Sequence, residues 1–205
     1  MPFGYLGTKA DQTAKNFGVF SANDVVNLTK QGKFGGSLEL IEEQSASGSP
    51  SAINFTSIQE QKYDVHLAVV SNYVASASGN YINSRLSNNG GSSYISSGYQ
   101  YGHYYGSAGG TFGTSKSTSN NFFNHHTEAG NGNAGSYCYF YNLGDSSKHI
   151  YSTVQVFGNG GIGDTMFYGG SSHPTAETIN AISFFTSSTG TMTNLNIKLY
   201  GVKEI

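Results

Sequence analysis

The stretch "VFGNGGIGD", Val156 to Asp164, decides between two kinds of protein. Gly158, Gly160 and Gly163 stand in the spacing G-x-G-x-x-G behind an apolar run. That pattern belongs to a phosphate-cradling loop and equally to a flexible turn between strands. A dinucleotide site needs a helix to begin directly after the glycines, because its first amides and its dipole hold the pyrophosphate. Here the chain runs on as "DTMFYGGSSHP", whose glycine pair and proline do not support such a helix. Asn159-Gly160 therefore reads as a turn joining strands.

The flanking sequence alternates with the period of a strand. In "SYCYFYNL", Tyr137, Tyr139 and Tyr141 share one face while Cys138 and Phe140 share the other. "LNIKLYGVKEI" turns Leu195, Ile197 and Leu199 inward and Asn196 and Lys198 outward. "SLELIEEQ" sets Leu38, Leu40 and Glu42 against Glu39, Ile41 and Glu43, and "YDVHLAVVSNYV" aligns Tyr63, Val65, Leu67 and Val69. "AINFTSI", "YQYGHYY", "HIYSTVQVFG" and "ETINAISFF" add further strands. Asn89-Gly90 at the centre of "NYINSRLSNNGGSSYISS" predicts a hairpin. Residues 107–135, rich in Gly, Ser, Thr and Asn, predict long loops with one strand inside "SNNFFNHHTEAGNGN". About nine or ten strands without a long helix predict an all-β protein, an antiparallel two-sheet sandwich of jelly-roll or Greek-key type. A fixed-period repeat, the mark of a propeller or solenoid, is absent.

Residues 1–35 differ from the remainder and predict an extended arm ahead of a sandwich over 36–205. Lys9, Lys15, Lys30 and Lys33 are scattered among Phe3, Tyr5, Leu6, Phe17, Val19 and Phe20. One short helix is expected there, capped by Ser21, with Asp24 in its first turn, Val25, Val26 and Leu28 on its apolar side, and Gly32 ending it. A helix that short is not stable alone, so the arm must dock, on its own body or on a neighbouring subunit. Phe3, Tyr5, Phe17, Val19, Phe20, Val25 and Leu28 are the docking residues this predicts.

Composition narrows the function classes. Only 11% of the 205 residues are charged, there are 28 glycines, 15 tyrosines and 13 phenylalanines, and tryptophan is absent. The surface must therefore be built from Ser, Thr, Asn, Gly and Tyr. With a net charge of −2 and Arg85 as the only arginine, the chain lacks the clustered cations that nucleic-acid binding demands. Cys138, the only cysteine, offers no disulfide framework and reads as a small core side chain. "MPFGYLGTKAD" lacks the basic and apolar regions of a secretory signal, and no apolar run approaches a membrane span, so membrane insertion is not expected.

The chemistry-bearing constellations are weak. No G-x-S-x-G nucleophile turn occurs. His126 and Glu128, two apart on a strand, could share an ion that His125 could not, with a third ligand from His103, His149 or His173; without ligand spacing the reading is loop-surface histidines and no metal. Glu39, Glu42 and Glu43 read as strand-surface charge that discourages edge pairing. No cofactor and no catalytic residue is expected. "YQYGHYYGSAGGTFG" is the most suggestive segment. Tyr99, Tyr101, His103, Tyr104 and Tyr105 are either a contact surface for a partner or glycan, or a tyrosine-rich strand packed between sheets.

The segment "NFGVFSANDVVNLTKQGKFGGSLELIEEQ" resembles the start of small virion structural proteins of tailed phages, notably the marine type. It carries the element G-V-F-S-x-x-D-V in Gly18, Val19, Phe20, Ser21, Asp24 and Val25. "YDVHLAVVSNY", "SRLSNNGGSSY", "YCYFYNLGD" and "IKLYGVKEI" extend the likeness over most of the chain. The resemblance implies a non-enzymatic particle component with a jelly-roll body, located on the virion as a tail-fibre appendage or a capsid decoration. It implies partners among other virion proteins and copies of the chain itself, a trimer being the expected state. A host-receptor adhesin that binds carbohydrate through Tyr99, Tyr101 and Tyr105 is the alternative.

Overall fold

The structure, a computed structural model, describes residues 23–24, 26–27, 37–77, 79–128, 133–160, 163–186 and 190–203. Backbone packing divides the chain into Met1–Ser37 and Leu38–Ile205. In the first unit Asn23, Asp24, Val26 and Asn27 are helical. The remainder of the expected arm, including Phe3, Tyr5, Phe17, Val19, Phe20, Val25 and Leu28, lies outside the described residues.

The second unit is built from strands: β1 (Leu38–Ser45), β2 (Ala52–Phe55), β3 (Val65–Ala75), β4 (Tyr81–Ser87), β5 (Tyr99–Ser107), β6 (Phe112–Asn120), β7 (Phe123–Glu128), β8 (Ala134–Tyr141), β9 (Ile150–Gly160), β10 (Gly163–His173), β11 (Ala181–Thr186) and β12 (Met192–Val202). They form two antiparallel sheets, one ordered β1-β12-β3-β8-β9-β10-β5-β6 and a smaller one ordered β2-β11-β4-β7. The expected all-β sandwich is present. No helix among the described residues is long and apolar enough to cross a membrane.

Alternation fills the space between the sheets. From the large sheet, Leu195, Ile197 and Leu199 of β12, Ala68 and Val70 of β3, Cys138 and Phe140 of β8, and Val154 and Val156 of β9 point inward and are buried. From the small sheet come Ile53 and Phe55 of β2, Ile82 and Leu86 of β4, Phe123 of β7, and Ile182 and Phe184 of β11. Phe184 joins the layers: its ring lies 5.9 Å from that of Phe55 and 6.2 Å from that of Phe140, both edge-on. Such pairs add about 0.5–1.5 kcal/mol each beyond the area they bury.

The glycine-rich stretch is a strand connection. β9 and β10 pair antiparallel from His173↔Ile150 to Gly163↔Gly160, and Gly163 takes a left-handed φ of 91°. Two expectations need correcting. Asn89-Gly90 does make a turn, with Gly90 at φ 72° and Gly91 at φ 84°, but no partner strand follows it. The chain instead leaves the small sheet for the large one. Ser87 Oγ accepts from the Gly91 amide at 3.0 Å and Asn180 Oδ1 from the Gly90 amide at 2.7 Å, satisfying backbone groups a ladder would otherwise pair. Residues 107–135 are not mainly loop, since they hold both β6 and β7. β6 is not legible in the sequence because this polar edge strand of "FGTSKSTSN" has no buried face, and β5 holds it mainly through backbone pairing.

Candidate functional site

On the large sheet the burial pattern and registers assign an outer face. Alternate residues of β8, β9, β10 and β5 that point away from the core are exposed or half-buried. Apart from Val26, every large hydrophobic side chain that is strongly exposed among the described residues lies on this face. Cross-strand registers order them in rows. One row reads Val69–Tyr137–Gln155–Tyr168–Tyr104–Thr114 from β3 to β6. The next reads Leu67–Tyr139–Thr153–Gly170–Gly102–Lys116. Beyond it lie Tyr141–Tyr151–Ser172–Gln100, and on the other flank Phe157–Met166–Gly106–Phe112. The Tyr104 and Tyr168 rings stack at 5.6 Å and 19°, and Phe112 folds over Gly106.

Charge avoids this surface. Lys198 and Glu43 pair at 3.7 Å on β12 and β1 at one side, and Lys116 stands on β6 at the other. Among the described residues of the adjacent strands β3, β8, β9, β10 and β5, the only charged outward one is Asp164, at the β9–β10 connection beside Asn159. The remaining acids named from the sequence are engaged elsewhere: Lys62 and Lys203 hold the Glu39 carboxyl down to about 2, and Glu42 accepts from Gln44 at 2.6 Å.

The tyrosine segment of β5 is divided between the two faces. Tyr99 is fully buried, its hydroxyl accepting from the Leu86 amide at 3.0 Å and donating to the Ile95 carbonyl at 3.2 Å. His103 is also buried, while Tyr101 and Tyr105 are half-buried on the same inward side. Tyr104 alone faces outward, 57% exposed. The five residues therefore do not make one surface, and a sugar platform of Tyr99, Tyr101 and Tyr105 is ruled out because those rings face the core. The outward contribution comes instead from Tyr137, Tyr139, Tyr151 and Tyr168 on β8, β9 and β10. The alternation of "YCYFY" placed Tyr137 and Tyr139 on a face opposite the core residues. What the sequence lacked was the strand order that sets them beside β10 and β5.

His149 is exposed in the β8–β9 loop as expected, but His103, His125, His126 and His173 are turned to the interior, contrary to the loop-surface reading. Between Thr127↔Ile82 and Asn124↔Asn83 the β7 ladder shifts register, leaving His125 and His126 unpaired, with His126 at a left-handed φ of 48°. This irregularity suspends the strict alternation assumed from the sequence. His125 enters the core, its Nε2 2.7 Å from Ser84 Oγ and its Nδ1 3.7 Å from Cys138 Sγ. The Ser84–His125 pair is a core contact with no carboxylate behind the imidazole. His126 stacks on Phe167 at 5.0 Å and meets His103 at 5.4 Å, and Asn124 Nδ2 donates to its Nε2 at 2.9 Å. Burial lowers all three, His103 and His126 to about 4 and His125 to about 3. Neither ring nitrogen of His103 has a hydrogen-bond partner. Among the described residues no three His, Cys, Asp or Glu side chains converge as a metal site. Burial also pushes the Cys138 thiol up to about 12.

No protein family, curated protein or solved structure matches this chain.

Proposed function

We propose that this protein is a non-enzymatic structural component of a phage particle surface, a tail appendage or capsid decoration, docked through residues 1–35 and assembled with copies of itself. One observation carries the reading: the large sheet turns a wide, charge-poor, tyrosine-paved face to the outside. A soluble monomer seldom leaves so many large side chains contiguous and uncovered, and aromatic residues without charge are the composition of an interface core. The sequence resemblance supplies the virion setting. The jelly-roll reading is supported by the alternation of strands, with β1, β12, β3 and β8 adjacent in one sheet and β2, β11, β4 and β7 in the other. On that reading β5–β6 and β9–β10 are two added hairpins that widen the first sheet.

Light scattering on the full-length chain is expected to give a multiple of 21.8 kDa, and deletion of residues 1–33 to abolish incorporation into particles. A monomer at high concentration, together with normal incorporation of the truncated chain, would overturn the proposal. A receptor-binding adhesin is the second reading, favoured by a trough across the same face.

A further inference from the structure

We infer that the outer face of β8, β9, β10, β5 and β6 contains a binding trough for a neutral oligosaccharide. This deepens the contact-surface reading and rests on it. The floor is the row Thr153–Gly170–Gly102, running across the strands from Tyr139 to Lys116. One wall is Gln155, Tyr168 and Tyr104, and the other is Tyr151, Ser172 and Gln100. Two shallow hollows, of about 680 and 940 Å³, meet at Thr153 and together trace the trough. At a strand spacing of ~4.8 Å, its four strand steps span ~19 Å, the length of an extended oligomer and not of one sugar ring.

Gly102 is the telling residue. It lies inside a strand, where glycine is entropically unfavourable and packs nothing. Its φ is not left-handed, and a Cβ built on it meets no atom within 4 Å. Neither backbone conformation nor crowding around its own Cβ requires glycine there. Its effect is to keep the floor clear, as at a position where a ligand approaches the backbone. Gly170 continues that floor on β10.

The walls match carbohydrate chemistry. Tyr104 and Tyr168 are 57% and 51% exposed, their rings stacked on each other, and give this wall an aromatic surface for the apolar C–H side of a pyranose. No hydrogen bond to another described residue occupies the hydroxyls of Tyr104, Tyr151 and Tyr168 or the amide of Gln155, so donors and acceptors stand beside each aromatic surface for sugar hydroxyls. Lys116 at the outer end is the only charge along the trough, which suits an uncharged ligand and not a polyanion.

The test uses the full-length protein on an array of neutral and acidic oligosaccharides, then calorimetry on the neutral ligands retained. Binding of neutral oligosaccharides is expected, with affinity unchanged between low and high salt. Gly102→Val, which fills the floor, and Tyr168→Ala, which removes an exposed wall, should each weaken binding about tenfold or more, as loss of one aromatic contact or its access does. Tyr168→Ala carries the result should Gly102→Val fail to fold. Retention of acidic glycans alone with steep salt dependence, no neutral ligand retained, or wild-type affinity in Tyr168→Ala would overturn the inference. If the chain still self-associates and enters particles in any of those cases, the trough has failed and the structural role stands. Loss of self-association and incorporation in the unmodified protein, with Tyr168-dependent binding of neutral oligosaccharides retained, would remove the structural role and leave the trough.

Discussion

Acidification from pH 7 to pH 5 should strip this sandwich of a large share of its stability, and the buried imidazoles set the amount. His103 and His126 titrate at about 4 and His125 at about 3 in the folded chain. An imidazole in the unfolded chain titrates near ~6.5. At pH 5 the unfolded state therefore holds a proton on each ring while the folded state holds almost none. Stability is greatest above the unfolded value and falls with pH through the window between ~6.5 and the folded values, because the unfolded chain binds more protons there. Each ring contributes ~2 kcal/mol of loss at pH 5, or ~6 kcal/mol for the three, against a typical total of ~5–15 kcal/mol. The groups around them do not rescue the charged form: His125 faces Ser84, Cys138, Phe140 and Phe184, and His103 and His126 face each other, Tyr81, Tyr101, Asn124 and Phe167. Burial lowers His66 as well, adding in the same direction. Glu39, held down to about 2 by its lysines, begins to lose its contribution only below the unfolded carboxylate value of ~4.5, so the window from pH 7 to pH 5 isolates the histidines. Urea melts at closely spaced pH values would measure this, and His103→Phe should remove about one third of the slope. A urea midpoint that stays level from pH 7 to pH 5 would refute the reasoning.

Other perturbations separate packing from access. Phe184→Ala removes the ring that meets Phe55 and Phe140 and should cost ~3–5 kcal/mol in chemical denaturation. Gly169→Ala drives a methyl into the Gly102 carbonyl and the His103 ring and should cost ~1–3 kcal/mol, whereas Gly102→Ala, with open space around its Cβ, should be neutral or stabilising by up to ~1 kcal/mol. A melting comparison of the two alanine variants checks both signs. Cys138, buried and with its thiol pushed up to about 12, should react with a thiol reagent at pH 8 only after unfolding.

Much of the architecture was legible because alternation is a local property. Leu195, Ile197 and Leu199 face the core as their spacing requires, and Cys138 and Phe140 part from their tyrosine neighbours in the same way. The glycine motif at 158–163 was resolved by the residues downstream of it, whose Gly169, Gly170 and Pro174 deny a phosphate cradle its helix. Legibility failed where local pattern and long-range pairing parted. Asn89-Gly90 has the chemistry of a hairpin turn, yet the chain beyond it crosses to the other sheet. β6 has no apolar stripe to read, and the register shift in β7 turns both histidines inward where alternation would divide them.

Sequence alone determined that this chain makes charge-poor antiparallel strands, and in β8 it set Tyr137, Tyr139 and Tyr141 on the face opposite Cys138 and Phe140. Period-two patterning and turn chemistry act within a few residues, and they suffice for that. Which tyrosines become neighbours was decided only by the tertiary structure. Tyr137, Tyr168 and Tyr104 are distant in the chain and share a row because β8, β9, β10 and β5 lie side by side, and Gly170 meets Gly102 through the same register. Strand order depends on how two sheets enclose one core, and no local segment carries that information.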